Sequence, residues 1–150
     1  MTEVHPMTVD DALTLEKMMR CESEAYLRNF LAFATSGELR RQCVAAKYDV
    51  FFSLFENGEL AGFFCLRGLD MGYARPSFGV YVASSFKGHG HGHFALVCAL
   101  DWCREQGNAK IMLKVAEDNV VARRMYEAAG FIPLGSCPDT GHLMMERGLE

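Results

Sequence analysis

Val80-Tyr81-Val82-Ala83-Ser84-Ser85-Phe86-Lys87-Gly88-His89-Gly90-His91-Gly92-His93, followed by the apolar run Phe94 to Cys103, is the stretch whose reading decides the fold of this chain. It predicts a strand, a glycine-rich turn and a buried helix. Three glycines at alternate positions let the backbone turn tightly and bring its N–H groups close to a ligand, since glycine tolerates positive φ and has no Cβ in the way. The helix that starts at about Gly92 adds unpaired N-terminal N–H groups and the positive end of its dipole, a combination that favours a phosphate or pyrophosphate.

Two of the families that use such a turn do not fit. A phosphate-binding P-loop ends in Gly-Lys-Ser/Thr, whereas Gly92 is followed by His93-Phe94. A dinucleotide fingerprint needs G-x-G-x-x-G, and counting from Gly88 the sixth position is His93. The segment Lys87-Gly88-His89-Gly90-His91-Gly92 resembles instead the acyl-CoA motif Q/R-x-x-G-x-G/A of the GNAT superfamily of N-acetyltransferases, with Lys in place of Gln or Arg. A second segment, Asn119 to Phe131, is similar to the signature N-x-x-A-x-x-x-Y-x-x-x-G-F of the same superfamily through Asn119, Ala122, Tyr126, Gly130 and Phe131. The two segments and the strands around them cover roughly half of the chain, and the amino-terminal third matches nothing specific.

Outward from these motifs, composition bounds the rest. The chain has 150 residues, half of them hydrophobic, enough for one proper core and too few for a second domain of ordinary size, so one domain over residues 1–150 is expected. A net charge of −4 with no Lys/Arg block argues against a nucleic acid or an anionic membrane as partner. No apolar run approaches the roughly 18 residues of a spanning helix, and a signal peptide's regions are missing, so the expectation is a soluble, cytoplasmic protein. Six cysteines, scattered without a C-x-x-C pair and mostly in apolar stretches, are expected to stay reduced.

Taken in order, Val4 to Met7 predicts a short first strand that Pro6 confines to an edge. Thr8-Val9-Asp10-Asp11 is a helix cap, followed by an apolar stripe of Ala12, Leu13, Leu15, Met18 and Met19. A second helix is expected from Glu24 to Ala34, stopped by Gly37, and a third short one from Glu38 to Ala46. Tyr48 to Phe55 and Leu60 to Leu66 read as antiparallel strands joined at Asn57-Gly58, the strongest short hairpin signal. Strands are further predicted at Ser77–Ala83, Ile111–Val115, Phe131–Leu134 and His142–Glu146. The helices are predicted at Gly92–Gln106, apolar on nearly every side, and at Asn119–Ala129. This succession argues α+β or mixed α/β architecture; the GNAT resemblance implies a central mixed, mostly antiparallel sheet flanked by helices, with the pantetheine arm lying in a splay between two central strands.

The resemblance also implies roles. The backbone N–H groups of Lys87, Gly88, His89, Gly90, His91, Gly92 and, at the helix start, His93 would hold the CoA pyrophosphate, while Val80, Tyr81 and Val82 would bond the pantetheine arm through their backbones. A strand N–H there would polarise the thioester carbonyl, as oxyanion donors do. Tyr126 matches the position of a general acid that protonates the departing CoA thiolate, the bland alternative being a core tyrosine on the apolar face of its helix. Asn119 is equally a helix N-cap and a cofactor contact. His89, His91 and His93 depart from the family pattern, whose middle position is an inward-packed aliphatic residue. Alternate residues of a turn entering a helix are not expected to converge on one point, so no metal is expected, and partial protonation of these imidazoles would raise cofactor affinity in mild acid. For a base, no motif chooses among Glu22, Glu24 and Tyr81.

The reading is an acetyl-CoA-dependent N-acetyltransferase, acetyl-CoA being a co-substrate, that transfers directly to a primary amine of a small molecule or peptide; no Cys or Ser sits in a recognisable nucleophile arrangement. Its rivals are a non-catalytic acyl-CoA-binding or sensing domain of the same fold and a histidine-dependent metal-binding protein. The apolar final strands are compatible with a homodimer.

Overall fold

The computed structural model describes residues 1–30 and 38–149. In chain order it contains β1 (Thr2–Pro6), α1 (Val9–Arg20), α2 (Glu24–Leu27), α3 (Glu38–Ala45), β2 (Val50–Glu56), β3 (Glu59–Arg67), β4 (Ser77–Val82), α4 (His91–Glu105), β5 (Lys110–Val115), α5 (Val120–Ala128), β6 (Ile132–Ser136) and β7 (Leu143–Gly148). Short 3₁₀ turns occupy Leu69–Met71 and Ser84–Phe86.

Local chemistry accounts for most of these boundaries. Pro6 closes β1, which is an edge strand of the sheet, where a missing N–H costs no ladder bond. Thr8 caps α1 reciprocally: its hydroxyl accepts from the Asp11 N–H while the Asp11 carboxylate accepts from the Thr8 N–H. Asn57 and Gly58 both have positive φ, 51° and 84°, as the two-residue turn between β2 and β3 requires. The second helix ends much sooner than its apolar pattern predicts, because i→i+3 bonds from Asn29 to Tyr26 and from Phe30 to Leu27 tighten the chain directly after Leu27. Leu31 to Gly37, including the expected glycine stop, lie outside the described residues.

The seven strands form one sheet in the order β1-β2-β3-β4-β5-β7-β6, antiparallel at every pairing except β4–β5. Side chains of alternating parity build two cores. On one face Phe51, Phe63, Cys65 and Tyr81 pack under α1 and α3, meeting Ala12, Leu15, Met19 and Leu39. On the other, Leu54, Phe64, Leu66, Phe78, Ile111, Leu113 and Met145 pack against α4 and α5 through Ala95, Leu96, Ala99, Leu100, Cys103 and Tyr126. Helix α4 is less enclosed than its composition predicts: it lies on the sheet with His93, Val97 and Asp101 turned to solvent. All six cysteines are free thiols. No helix among the described residues is long and apolar enough to cross a membrane.

The parallel pair decides where the chemistry sits. Strands β4 and β5 share only the Ser77↔Met112 and Phe78↔Leu113 pairings and then part, whereas β4 stays paired to β3 along its whole length. The sheet is therefore open at its centre beyond Phe78.

Candidate active site

Strand parity says which backbone groups of β4 face this opening. The Ala83 N–H donates to Ala61 on β3, and the Pro76 carbonyl accepts from Met112 on β5. By the two-residue alternation of a strand, Gly79 and Tyr81 turn their backbone groups towards β3, while Phe78, Val80 and Val82 turn theirs towards β5. Past Phe78 no β5 residue meets them. Of the three β4 residues expected along a cofactor arm, Val80 and Val82 thus present their backbone groups to the opening, and Tyr81 does not, because its N–H and C=O point to β3, where it stands opposite Phe63. The Tyr26 hydroxyl donates to the Val82 carbonyl at 2.6 Å, which leaves the Val80 groups and the Val82 N–H as the free edge.

The opening continues into a cavity of about 230 Å³ lined by Phe78, Gly79, Val80, Lys114, Ala122 and Tyr126 among others. Tyr126 is only 6% exposed and stands between the rings of Phe78 and Phe131, at centroid distances of 6.4 and 5.8 Å. Burial pushes its phenol pKa well above the usual value, so it is protonated at any physiological pH. Its hydroxyl has no hydrogen-bond partner among the described residues, which leaves its proton available to a molecule in the cavity. Arg67, Lys114 and His142 also line this space, and no carboxylate does among the described residues. A shallower groove of about 770 Å³ adjoins it, sharing Arg67, Ser77 and Lys114.

The glycine turn follows the C-terminal end of β4 after the 3₁₀ turn Ser84–Phe86. Gly88 and Gly90 both have φ of 83°, and Gly90 is the N-cap of α4, so the left-handed backbone predicted for this turn is realised at two of its three glycines. Gly92 is different, an ordinary helical residue at which an added Cβ would lie 3.9 Å from Met125 Cε, in ordinary contact. The turn uses two of its own N–H groups: Lys87 donates to Ser84 and His89 to Phe86. Those of Gly88, Gly90, His91, Gly92 and His93 have no acceptor among the described residues. Of the seven N–H groups anticipated for an anion, five are open. Gly90 offers no side-chain cap, so the first turn of α4 keeps its unpaired donors and positive dipole end facing outward.

Three sequence-level candidates for a base separate here. Glu22, just past the end of α1, accepts from the Tyr81 hydroxyl at 2.8 Å, the Ser84 N–H at 2.9 Å and the Ser84 hydroxyl at 2.6 Å. Burial works to raise its pKa, but the bonds from Ser84 and Tyr81 outweigh it and hold the carboxyl below its usual value. Such a carboxylate is a poor base and a good anchor, fixing the C-terminal end of β4 to α1. Tyr81 is fully buried, and burial with the adjacent Glu22 carboxylate drives its phenol pKa far up. Glu24 is exposed in the first turn of α2. Asn119 is the N-cap of α5, accepting from the Ala122 N–H at 3.4 Å. That capping bond is the one its side chain makes among the described residues.

The histidines overturn one expectation outright. His89 and His91 do converge, and a carboxylate joins them: Glu56 at the end of β2 is 2.9 Å from His89 Nδ1 and 3.0 Å from His91 Nε2. The β2–β3 hairpin lies alongside the turn, a proximity that no spacing in the sequence signals. His93 is exposed and stands apart from the cluster.

Comparison with known proteins agrees with this fold. No curated protein sequence matches the chain. Among solved structures, the PaiA N-acetyltransferase of Thermoplasma acidophilum in complex with coenzyme A superposes with a TM-score of 0.78 at 18% identity, covering 99% of each chain. A putative acetyltransferase of Salmonella typhimurium with acetyl-CoA gives 0.79 at 16% identity, covering 100% of this chain and 95% of that one. The ribosomal-protein-S18-alanine N-acetyltransferase of Escherichia coli gives 0.72 at 18%, with coverages of 100% and 95%. At these identities the likeness is one of fold, a mixed seven-stranded sheet flanked by helices. The profile of the Acetyltransferase (GNAT) family matches residues 15–131, the span that holds the opened strand pair, the glycine turn and Tyr126, and this chain belongs to that family.

Proposed function

We propose that the protein transfers the acetyl group of acetyl-CoA directly to a primary amine of a small molecule or peptide. The observation that carries the proposal is the opening between β4 and β5, with Tyr126 on the lining of its cavity and, one short 3₁₀ turn past the end of β4, the five unpaired N–H groups of the α4 turn. The cofactor diphosphate lies on the N–H groups of Gly88 and Gly90 to His93, where the helix dipole and the Lys87 charge favour an anion. The pantetheine arm runs along β4 and continues the sheet through Val80 and Val82, the two residues whose backbone edge is free. A β4 N–H donates to the thioester carbonyl and stabilises the oxyanion as it forms.

The uncharged amine attacks the thioester carbon; a C–N bond forms, the C–S bond breaks, and the Tyr126 hydroxyl gives its proton to the leaving thiolate. The amine proton leaves to solvent, and the Tyr126 phenolate takes a proton back from solvent, which closes the cycle. Because Glu22 is already shared among three donors, we assign it the task of holding β4 rather than that of base. Asn119 serves by capping α5 and so fixing the helix that carries Tyr126. The Lys114 cation and the absence of a carboxylate from the cavity lining among the described residues suit an acceptor that carries an anionic group near its amine better than a polycation.

Thiol release from acetyl-CoA, followed over a panel of amines with and without a neighbouring carboxylate, tests the proposal. Turnover with any of them supports transfer. Acetyl-CoA binding with no thiol release across the panel would favour a binding domain instead. Absence of any melting shift at millimolar acetyl-CoA would remove the cofactor itself, since a ligand at a hundredfold excess over Kd adds about 2.7 kcal/mol to the native state.

A further inference from the structure

The side chains of Glu56, His89 and His91 form a cluster to which the proposed acetyl transfer gives no task, the His91 residue serving it through its backbone N–H alone. Each contributes one donor atom, and these atoms all lie within 4.8 Å of one another. His91 is inward-packed with its side chain fully buried, His89 is 46% exposed and Glu56 23% exposed, so the cluster has one rigid wall and one side open to water. Phe86 holds both imidazoles edge-on at centroid distances of 6.0 Å. Packing does not explain a histidine at the inner position, since His91 Nδ1 is buried without a partner and carries a desolvation cost that an aliphatic side chain would avoid.

From this geometry we infer that Glu56, His89 and His91 form a binding site for a first-row divalent cation of the zinc type. Two imidazole nitrogens and one carboxylate oxygen are the donor set such ions prefer, and a fourth position is left on the solvent side for water. Tetrahedral coordination at 2.0–2.1 Å puts ligand atoms about 3.3 Å apart. Two edges of the triangle, at 2.9 and 3.0 Å, need only a slight expansion. The remaining approach of His89 to His91 falls on a residue flanked by Gly88 and Gly90, the most adjustable part of the turn. On binding, each imidazole ligates as its neutral tautomer, with its proton on the ring nitrogen that does not face Glu56, and an imidazolium proton, where one is present, leaves to solvent.

The cation takes no part in acetyl transfer. It cross-links the β2–β3 hairpin to the turn before α4. Metal-ligating histidines ordinarily donate their second nitrogen to a partner, and loss of that partner costs about 10- to 100-fold in affinity. With Nδ1 of His91 unpartnered, dissociation constants in the micromolar range are expected for Zn²⁺, not the nanomolar values of sites with a complete second layer of hydrogen bonds.

Calorimetric titration of untagged, chelator-treated protein with Zn²⁺, together with the visible absorption of the Co²⁺ form, tests the site. One saturable component is expected, with Co²⁺ bands of nitrogen and oxygen ligation and no thiolate charge-transfer band. At a hundredfold excess of Zn²⁺ over Kd the melting temperature should rise by about 5–10 °C. Glu56→Gln and His89→Ala, both at partly exposed positions that tolerate change, should each weaken that component at least about tenfold. His5→Ala, which removes an exposed imidazole paired with Glu3 and set edge-on to Phe55, should not. A component that survives Glu56→Gln and His89→Ala, a thiolate spectrum, or no saturable binding at all would overturn the inference. None of these readouts depends on acetyl-CoA.

Discussion

Gly62→Ala puts a single methyl group where the structure has no room for one. Gly62 lies on β3 opposite Val82, and a Cβ there would run into the Tyr81 carbonyl oxygen, with the Tyr81 carbonyl carbon and Val82 Cα both at 3.0 Å. Carbon atoms in ordinary contact sit about 3.5–4.0 Å apart, so the end of β4 must withdraw from β3 by on the order of 1 Å. Overpacking of this kind costs about 1–3 kcal/mol. For a domain of this size that is a fall in melting temperature of about 2–12 °C. The displaced segment is the one that presents the Val80 and Val82 edge, and a misplacement of about 1 Å in a reacting geometry can cost roughly 10²-fold. We therefore expect kcat/KM for acetyl transfer to drop about a hundredfold, well beyond what the loss of folded protein explains at a temperature where the variant is still native. Differential scanning calorimetry gives the first quantity and thiol release with a competent amine the second. An unchanged melting temperature would mean that β3 and β4 do not approach as closely as this geometry requires. A destabilised variant with wild-type kcat/KM would show that the end of β4 does not position the thioester.

Tyr126→Phe keeps the ring between Phe78 and Phe131 and removes only the proton donor, so kcat should fall about ten- to a thousandfold with acetyl-CoA affinity unchanged; equal rates, where chemistry limits turnover, would return Tyr126 to a purely packing role. Gly90→Val and Gly92→Ala should behave differently, because φ at Gly90 is 83° whereas Gly92 is an ordinary helical residue: the first should lose acetyl-CoA binding and some stability, the second should keep its fold and lose affinity only as far as the new methyl group shields its N–H. Calorimetry with acetyl-CoA separates them, and wild-type affinity in Gly90→Val would show that the turn does not hold the diphosphate. The Glu22 carboxyl has a folded-state pKa below its ordinary 4.5, so its contribution to stability is present above that pH and is lost as pH falls through the folded value. The melting temperatures of wild type and Glu22→Gln should accordingly differ at neutral pH and converge in acid; a difference that does not change with pH would show that the carboxylate charge is not what Ser84 and Tyr81 require.

What the sequence alone determined is whatever depends on neighbours along the chain. Asn57-Gly58 specifies a turn with two positive φ angles, Thr8 to Asp11 specifies a reciprocal cap, and Gly88 and Gly90 specify a left-handed entry into α4, because each is a property of backbone and side chains a few residues apart. The spacing from Asn119 to Phe131 likewise places Tyr126 on one face of one helix. Only the tertiary structure decided the rest. Val80 and Val82 face the opening and Tyr81 does not, a matter of register against β3 that a one-residue slip would reverse. Glu22 became an anchor instead of a base when β4 brought Ser84 and Tyr81 to it across 62 and 59 positions of sequence. Glu56 meets His89 and His91 across 33 and 35 positions, because the β2–β3 hairpin lies beside the α4 turn. Local periodicity carries no term for such meetings: they follow from which strands pair and how the layers stack, and that is settled by burial of the whole chain at once.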